Sequence, residues 1–515
     1  MRVRYTPGQV ARLLRIPEPT IEQAAVIGAP LAPMAVIAGA GSGKSETMAA
    51  RLVWLVANGF VRPDRVLGLT FTRKAAAELA DRVRSRLDRL HGAALADAPA
   101  AGEPVISTYH AYAGRLVSDH ALREGLEPSM RLITPALSWQ LAARIVAAYD
   151  GPMDEVGWTP QTVTAAVLQL AGDLAEHLRK PGDVTDVGEW LTRQEAALPG
   201  RVPAAVKKIL ASQKAREQLL PLIERYTEAK QGREVLDHGD QVALAAQIAA
   251  RHPEVGAGER GRYQVVLLDE YQDTSHAQLV LLRALFGGGH PVTAVGDPCQ
   301  SIYGWRGASA GNLRRFSTDF LQRGAKPSSV RKLSTSFRSA GRVLDAAAVL
   351  QADLRAEAPD VPLLLPAPDR GGRGAVTCGL LPTVGEEADW VAARAAELLA
   401  LPEGTAPDGR PWPDGRNAGR EYGVRPSDIA VLCRKRSQFV PLRRAFESRG
   451  IACEVVGLGG LLSVPEVQDV VATLRVLHDA SASDALARLL SGPRWRIGPR
   501  DLVALGRRAR ALAGG

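Results

Sequence analysis

Residues 34–46 read MAVIAGAGSGKSE, and this stretch decides the fold of the chain. The apolar run Met34–Ala38 predicts a buried β-strand, and a helix is predicted to begin at Glu46. Between them, a glycine-rich segment ends in Gly43-Lys44-Ser45, which is the spacing of a phosphate-binding P-loop with alanine in place of its first glycine. The alternative is an ordinary glycine-rich loop, which would require neither the strand before it nor the helix after it.

The P-loop pattern predicts a site for a nucleoside triphosphate and Mg²⁺. Its glycines let backbone N–H groups turn inward around phosphate oxygens. Lys44 is expected to bridge the β- and γ-phosphates of ATP, and Ser45 is expected to hold the metal ion. The nucleotide-binding residues predicted in this loop are Ala40, Gly41, Ser42, Gly43, Lys44 and Ser45.

A second apolar run supplies two carboxylates. Residues 265–273 read VVLLDEYQD, so the predicted strand ends directly before Asp269 and Glu270. Asp269 is expected in the Mg²⁺ shell, and Glu270 is expected to orient and deprotonate the attacking water. An acidic pair after a strand is common by itself. Together with a P-loop in the same sheet, it indicates nucleotide hydrolysis.

Composition is that of a globular protein. The chain has 515 residues, 46% hydrophobic and 23% charged, which predicts two to four domains. It has no run of eighteen apolar residues and no apolar leader, so we expect neither a membrane span nor a secretory signal. The four cysteines form no CxxC pair, which favours a reducing cytoplasm over a disulfide framework or a zinc site. The net charge of +9 favours a polyanionic partner, with a solvated basic surface as the alternative.

The order of apolar runs predicts an α/β protein with parallel sheets. Strand-like runs at 66–71, 104–109 and 292–296 are followed by helical stretches, whereas helical periodicity alone fills 110–236. A second series of strands is predicted at 331–335, 375–380, 429–433 and 452–456. The predicted domains are a first α/β domain (1–109 and 237–328), a helical insertion (110–236), a second α/β domain (329–463) and the start of a second helical insertion (464–515).

Further motifs follow in the order of one protein family. They are Gln23 in a Q-motif setting, LTFTRKAAAEL at 69–79, STYH at 107–110, DEYQD at 269–273, VGDPCQSIYGWRGA at 295–308 and SFRS at 336–339. With these motifs the chain resembles UvrD/Rep-type superfamily 1 DNA helicases, closely over residues 18–340 and loosely over 341–470. It departs from the family pattern at Pro298-Cys299, where acidic residues are common, and at SFRS, where NYRS is commoner. The resemblance implies that the two α/β domains are tandem RecA-like domains.

The resemblance also implies roles around the nucleotide. Gln23 would read the adenine, and Arg51 and Phe337 would sandwich that base. Gln300 would sense the γ-phosphate, and Arg338 would stabilise its charge as an arginine finger, with a structural ion pair as the alternative. The implied catalytic residues are therefore Glu270, Lys44, Gln300 and Arg338, and the implied metal ligands are Ser45 and Asp269.

Contacts with single-stranded DNA are implied by the same resemblance, mainly through aromatic rings that stack on bases. Tyr303 and Trp305 could instead be core aromatics, His110 a buried histidine and Arg73 a salt-bridge partner. The implied DNA-binding residues are Phe71, Arg73, Thr108, His110, Tyr303 and Trp305.

The function implied is an ATP-dependent DNA helicase that translocates 3′ to 5′ on single-stranded and 3′-tailed duplex DNA in repair or recombination. One alternative is the motor subunit of a helicase–nuclease, with a second helicase or nuclease subunit as partner. Another is an ATP-switched, non-motor DNA-binding subunit, against which the intact Glu270 and Gln300 count. Two late family motifs are not found in 341–515. The second domain is therefore expected to be incomplete, and the fragment alone poorly active.

Overall fold

A computed structural model of the protein describes residues 3–92, 102–200, 202–304, 307–411, 423–456, 462, 464–479 and 482–513. The chain divides into two compact units, residues 1–372 and 373–515. The strands of the described residues are β1 Met34–Ala38, β2 Val66–Thr70, β3 Val105–Thr108, β4 Arg131–Leu132, β5 Val235–Leu236, β6 Val265–Leu268, β7 Val292–Gly296, β8 Ser329–Leu333, β9 Thr335–Ser336 and β10 Leu365–Pro366.

The helices of the first unit begin with those that pack on the sheet and continue through the insertion. They are α1 Pro7–Leu13, α2 Ile21–Ile27, α3 Lys44–Ala57, α4 Arg73–Gly92, α5 Tyr109–His120, α6 Pro135–Ala147, α7 Pro160–Glu176, α8 Pro181–Ala197, α9 Ala204–Gln231, α10 His238–Arg251, α11 Pro253–Arg262, α12 His276–Phe286, α13 Ala310–Asp319, α14 Gly341–Leu350 and α15 Ala352–Glu357. Those of the second unit are α16 Val384–Leu399, α17 Phe439–Glu447, α18 Pro465–His478, α19 Ser483–Ser491 and α20 Pro499–Ala513.

The first unit is built on a parallel sheet, which confirms the predicted α/β class. Its six strands lie in the order β3-β2-β6-β7-β1-β8 within the described residues. All five neighbouring pairs are parallel. Every residue of β1, β2, β6 and β7 is buried. Both faces of the sheet are covered, and this is why these strands are continuous apolar runs in the sequence.

Alternate residues of the central strands enter two separate cores. Ala35 and Ile37 of β1 face a core shared with α5, α10 and α12. Val36 and Ala38 face the opposite core, which α1 to α4 complete. Because successive side chains of a strand point to opposite faces, one short run holds both helical layers in place.

The carboxyl ends of the parallel strands meet at one edge of the sheet. β1 leads into the P-loop, β2 into Phe71, β6 into Asp269 and β7 into Asp297. Open parallel sheets bind ligands in the crevice at this edge. The predicted nucleotide site and several predicted DNA contacts are thus brought together by the topology.

Helices make up most of residues 110–236, and the two-residue strands β4 and β5 pair in parallel across the segment. The helices α6, α7 and α9 pack around buried aliphatic side chains that include Val167, Leu219 and Ile223. The Lys230 ammonium donates to the carboxylates of Asp237 at 2.8 Å and Asp240 at 2.5 Å. This buried ion cluster joins the end of α9 to the start of α10.

The observed strands differ in two ways from those predicted for a second α/β domain. The run 331–335 was predicted to open the second sheet, but β8 pairs with β1 from Met34↔Ser329 to Ala38↔Leu333. In the described residues of the second unit, the segments 375–380, 429–433 and 452–456 form no strand. Leu380 is 100% exposed and Leu432 is 95% exposed, so these runs lack the covering layer and the paired backbone that a stable strand requires.

The described part of the second unit is therefore helical where it packs. Ala388, Ala392 and Ala395 of α16 meet Ala445 and Phe446 of α17 in a small core. Over the ranges that the structure describes, no helix is long and apolar enough to cross a membrane.

Candidate nucleotide and nucleic acid site

The P-loop turns sharply between β1 and α3. Gly41 and Gly43 have φ angles of +74° and +80°, in the left-handed region that favours glycine. A Cβ on Gly41 would lie 2.5 Å from the Cβ of Arg338, so no larger residue fits there. The loop ends at Lys44, the first residue of α3, whose unpaired N–H groups form an anion-binding helix N-terminus.

Two oxygen donors face each other where a metal ion is expected. The Ser45 hydroxyl lies 3.4 Å from Oδ2 of Asp269, and Asp269 is only 5% exposed. Burial, followed by the charge of Glu270, raises the pKa of Asp269 to about 6, whereas Lys44 and Ser45 lower it. A buried carboxylate beside a hydroxyl is a hard oxygen donor set whose anionic form requires a cation, so the residues fit Mg²⁺.

Glu270 is held in an uncommon conformation by its neighbours. Its φ of 51° and ψ of 38° are left-handed, which is unusual for a residue with a side chain. Gln272 Nε2 donates to Glu270 Oε2 at 2.8 Å, and Gln272 Oε1 accepts from the Asp297 N–H at 3.0 Å. Asp297 in turn accepts from Gln300 Nε2 at 2.5 Å. A single glutamine thus connects the end of β6 with the end of β7, and it is not among the site residues predicted from the sequence.

The segment after β8 lies against the P-loop. The Phe337 N–H donates to the Gly41 carbonyl at 2.9 Å, and the Ser336 hydroxyl donates to the Ala40 carbonyl at 2.9 Å. The Ser334 N–H and hydroxyl both donate to the carboxylate of Glu22, at 2.7 and 2.8 Å. Phe337 and Arg338 are therefore next to the phosphate loop within the first unit, and their roles at a nucleotide stay predictions, whereas Glu22 and Ser336 were missed.

Gln23 connects α2 to the P-loop backbone. Its Nε2 donates to the Ser42 carbonyl at 3.1 Å, and its Oε1 accepts from the Thr20 N–H at 3.1 Å. The amide is therefore engaged within the protein, and its contact with adenine stays a prediction. The sequence signal for this second role is the T-x-x-Q spacing of a capping box, which is present at Thr20.

Arg51 does not lie in the nucleotide crevice, which corrects its predicted role against the adenine. It is 1% exposed, and Nη1 donates to the carbonyls of Val26, Ile27 and Ala29 at 2.9 to 3.0 Å. Nη2 donates to the Pro30 carbonyl at 3.1 Å. The guanidinium caps the C-terminal end of α2, so it cannot also stack on a base.

An aromatic layer lies beside the metal site. The rings of Phe71 and Tyr303 are stacked, with 6.4 Å between their centroids and an angle of 9° between their planes. Phe71 also packs at 4.9 Å on Tyr109, whose hydroxyl donates to the Asp269 carbonyl at 3.0 Å. Two predicted DNA contacts are thus brought together, and Tyr109 joins them to the end of β6.

The other predicted DNA contacts are Thr108, His110, Arg73 and Trp305. Thr108 is the N-cap of α5, and its hydroxyl accepts from the Ala111 N–H at 3.2 Å. The His110 ring lies 5.4 Å from that of His238, and Arg73 is exposed at the start of α4. Trp305 lies outside the described residues. The DNA-binding roles of all four residues stay predictions.

Comparison with known proteins identifies the family. Residues 20–321 match the family model of the UvrD/REP helicase N-terminal domain, and residues 333–513 match that of the UvrD-like helicase C-terminal domain. A DNA helicase II of Haemophilus influenzae is 27% identical over 480 residues, which are 93% of this chain and 57% of the relative. The ATP-dependent DNA helicase PcrA of Staphylococcus epidermidis is 25% identical over 478 residues, with 93% and 56% covered. The chain spans about half the length of these relatives. With more than half of its residues in the first match alone, the chain belongs to the UvrD/REP helicase family.

Proposed function

We propose that the chain acts in an ATP-dependent DNA helicase that translocates 3′ to 5′ on single-stranded DNA during repair or recombination. The observation that carries the proposal is a shared backbone at the end of β6. The carboxylate of Asp269 faces Ser45, while its carbonyl accepts from Tyr109 of the aromatic layer. The proposed nucleotide site and the proposed base-stacking surface would thus meet at one residue. The similarity to a DNA helicase II and to an ATP-dependent DNA helicase PcrA agrees with this proposal.

ATP hydrolysis would use groups already in position. The P-loop N–H groups and Lys44 would bind the phosphates, with Ser45 and Asp269 holding Mg²⁺, which supplies charge neutralisation at the phosphate oxygens when bound. Glu270, whose carboxylate is fixed by Gln272, would orient the attacking water and take its proton. Arg338 beside Gly41 would stabilise charge that develops on the transferring phosphoryl group.

Coupling to DNA would follow two short connections. One runs from Glu270 through Gln272 and Asp297 to Gln300. The other runs from the Asp269 carbonyl through Tyr109 to the Phe71–Tyr303 pair. The second connection favours a motor over an ATP-operated switch, because it would join a residue of the metal site to rings that would contact bases. A second helicase or nuclease subunit stays a prediction.

The test compares Glu270→Gln with the unchanged chain in DNA-stimulated ATP turnover and in nucleotide binding. Glutamine keeps an oxygen to accept from Gln272 but cannot take a proton, so turnover should fall by about 10²- to 10⁴-fold while fluorescent ATP still binds. Duplexes with a 3′ or a 5′ single-stranded tail then report the direction of unwinding. Turnover that DNA does not stimulate would refute a motor and favour the switch. Unwinding from the 5′ tail alone would refute the proposed direction.

A further inference from the structure

A basic concavity lies at the opposite edge of the sheet from the P-loop. It is open to solvent, has a volume of about 560 Å³, and is lined by three arginines, Arg260, Arg283 and Arg323, and by the loop from Gly287 to Pro291. We call it the Arg323 basin. The loop leads into the amino end of β7, whereas Asp297 follows the carboxyl end of that strand. Five residues of strand separate the two by about 16 Å, so the basin is distinct from the nucleotide site.

The three arginines come from different parts of the fold, and they differ in the hydrogen bonds and ion pairs that they make with the rest of the protein. Arg260 of α11 donates to the carbonyl of Leu285 at 2.5 Å and so caps α12. Arg283 of α12 faces Asp319 at 3.5 Å and is half exposed. Arg323 is exposed, and among the described residues it has no ion pair within 4.0 Å. At least one full positive charge is therefore directed to solvent at this surface.

The glycine loop leaves backbone open to a ligand. Gly288 has a φ of +68°, and a Cβ there would meet nothing within 4 Å. Gly289 has a φ of +85°, and a Cβ there would lie 2.8 Å from the backbone nitrogen of Arg323. The loop can thus place Arg323 against its backbone only because Gly289 has no side chain. Glycine-rich backbone beside basic side chains is a common way to approach phosphate oxygens.

A buried ring nitrogen at the basin provides a second, independent observation. Nε2 of His290 is shielded from solvent and has no hydrogen-bond partner among the described residues. The ring stacks on Phe286 at 5.4 Å, which fixes its orientation. Burial, with the charges of Arg260 and Arg323, lowers the pKa of His290 to about 4, whereas a backbone hydrogen bond of the ring with Tyr263 raises it. Buried polar atoms are normally paired, so the unpaired nitrogen indicates a group that the chain itself does not supply.

We propose that the Arg323 basin binds consecutive phosphate groups of a nucleic acid backbone. No acidic side chain is among the residues that line it within the described ranges. Its volume is far larger than one phosphate needs, and it lies on the surface, where a chain of phosphates can pass. The DNA partner is taken from the proposed function. The site would hold a part of the DNA other than the bases near Phe71, and phosphate contacts would make it insensitive to sequence.

A matched pair of variants tests the basin without removing an existing contact. Gly288→Asp and Gly288→Asn have the same shape and both tolerate a left-handed φ, but only aspartate adds a negative charge. Binding of a 3′-tailed duplex, followed by fluorescence anisotropy at several salt concentrations, should weaken about three- to tenfold more for Gly288→Asp than for Gly288→Asn. Arg323→Ala should weaken it about three- to tenfold and lower the salt slope by about one. Arg89→Ala, an exposed arginine of α4 outside the basin, is the control.

The ring resonances of His290 give a local readout, because bound phosphates would favour the imidazolium and raise the pKa of His290. Duplex DNA and pyrophosphate should both shift them, with DNA acting at lower concentration.

Equal DNA affinity of Gly288→Asp and Gly288→Asn overturns the proposal, as does a shift with pyrophosphate but not with DNA. Displacement of DNA from His290 by poly-glutamate at equal charge concentration also overturns it, in favour of an acidic protein. If the unchanged chain binds no DNA at all, the proposed function fails as well, which distinguishes the two failures.

Discussion

The burial of Arg51 makes a prediction that separates its observed position from the adenine contact implied by the family resemblance. Arg51→Met keeps an unbranched side chain of similar length but removes every donor. Four carbonyl oxygens, those of Val26, Ile27, Ala29 and Pro30, then lose their partner. Burial lowers the pKa of Arg51 to about 10, so the side chain is still charged at neutral pH and these are charge-assisted bonds.

The expected loss follows from those four bonds. Nη1 has two hydrogens, so three N–H groups serve the four carbonyls, and at about 1 to 1.5 kcal/mol net each they contribute about 4 kcal/mol. Burying an apolar methionine side chain in place of a charged one offsets about 1 to 2 kcal/mol of this loss. The free energy of unfolding should therefore fall by about 2 to 3 kcal/mol. In urea, with a slope of about 2 kcal/mol per molar, the midpoint should move down by about 1 to 1.5 M.

The assay follows urea unfolding by tryptophan fluorescence, since Trp54 of α3 lies three residues from Arg51 and donates to the Tyr5 carbonyl. ADP binding is measured below the transition, where it should stay within about threefold of the unchanged chain. Arg12→Met is the control, because Arg12 is exposed and its one ion pair among the described residues is with exposed Glu18; its change should be below about 0.5 kcal/mol. An unchanged midpoint together with a tenfold loss of ADP affinity would refute the capping role and restore the stacking role.

Three further predictions concern the crevice itself. Gln272→Leu should lower DNA-stimulated turnover by about tenfold or more with little change in ATP binding, because Glu270 and the Asp297 N–H both lose the same amide; equal turnover would contradict this. Phe71→Ala should weaken single-stranded DNA binding by about 1 to 3 kcal/mol in anisotropy, and circular dichroism must show that the variant is folded. The pKa of Asp269, raised to about 6, predicts that Mg²⁺ binds more weakly below pH 6, by up to about tenfold per pH unit, and independently of pH above 7. Calorimetry at pH 5, 6 and 7 checks this, and Asp269→Asn should remove the dependence.

Much of the first sheet could be predicted because its strands are buried on both faces. Continuous apolar runs such as Val265–Leu268 have few other interpretations when turn residues bound them. The order of the strands and the partner of β8 depend on contacts between residues far apart in the chain, which no local pattern records. β8 is an edge strand in which only Leu333 is fully buried, so its sequence lacks the continuous apolar run that marks the inner strands.

The candidate site was predictable where chemistry requires a residue type at a fixed spacing. Lys44, Ser45, Asp269 and Glu270 lie at the strand ends where their patterns placed them. Arg51 was misplaced because a position on a helix predicts which residues share a face but not what covers that face. Gln272 was missed because nothing in DEYQD distinguishes a glutamine that bridges two strands from one that faces solvent.

Under the proposed function, the two bridging residues, Gln272 and Tyr109, would give a change at the phosphates a short route towards the rest of the crevice. Gln272 uses the two ends of one amide, so it cannot follow a shift of Glu270 without moving against the backbone of Asp297. Tyr109 bonds the Asp269 carbonyl and packs its ring on Phe71, so a displacement of that peptide group is opposed or transmitted by a rigid ring. Buried, close-packed groups of this kind have few alternative positions and are poorly compressible. A movement of less than 1 Å at the end of β6 is therefore expected to reorient the Phe71–Tyr303 pair rather than dissipate in the core.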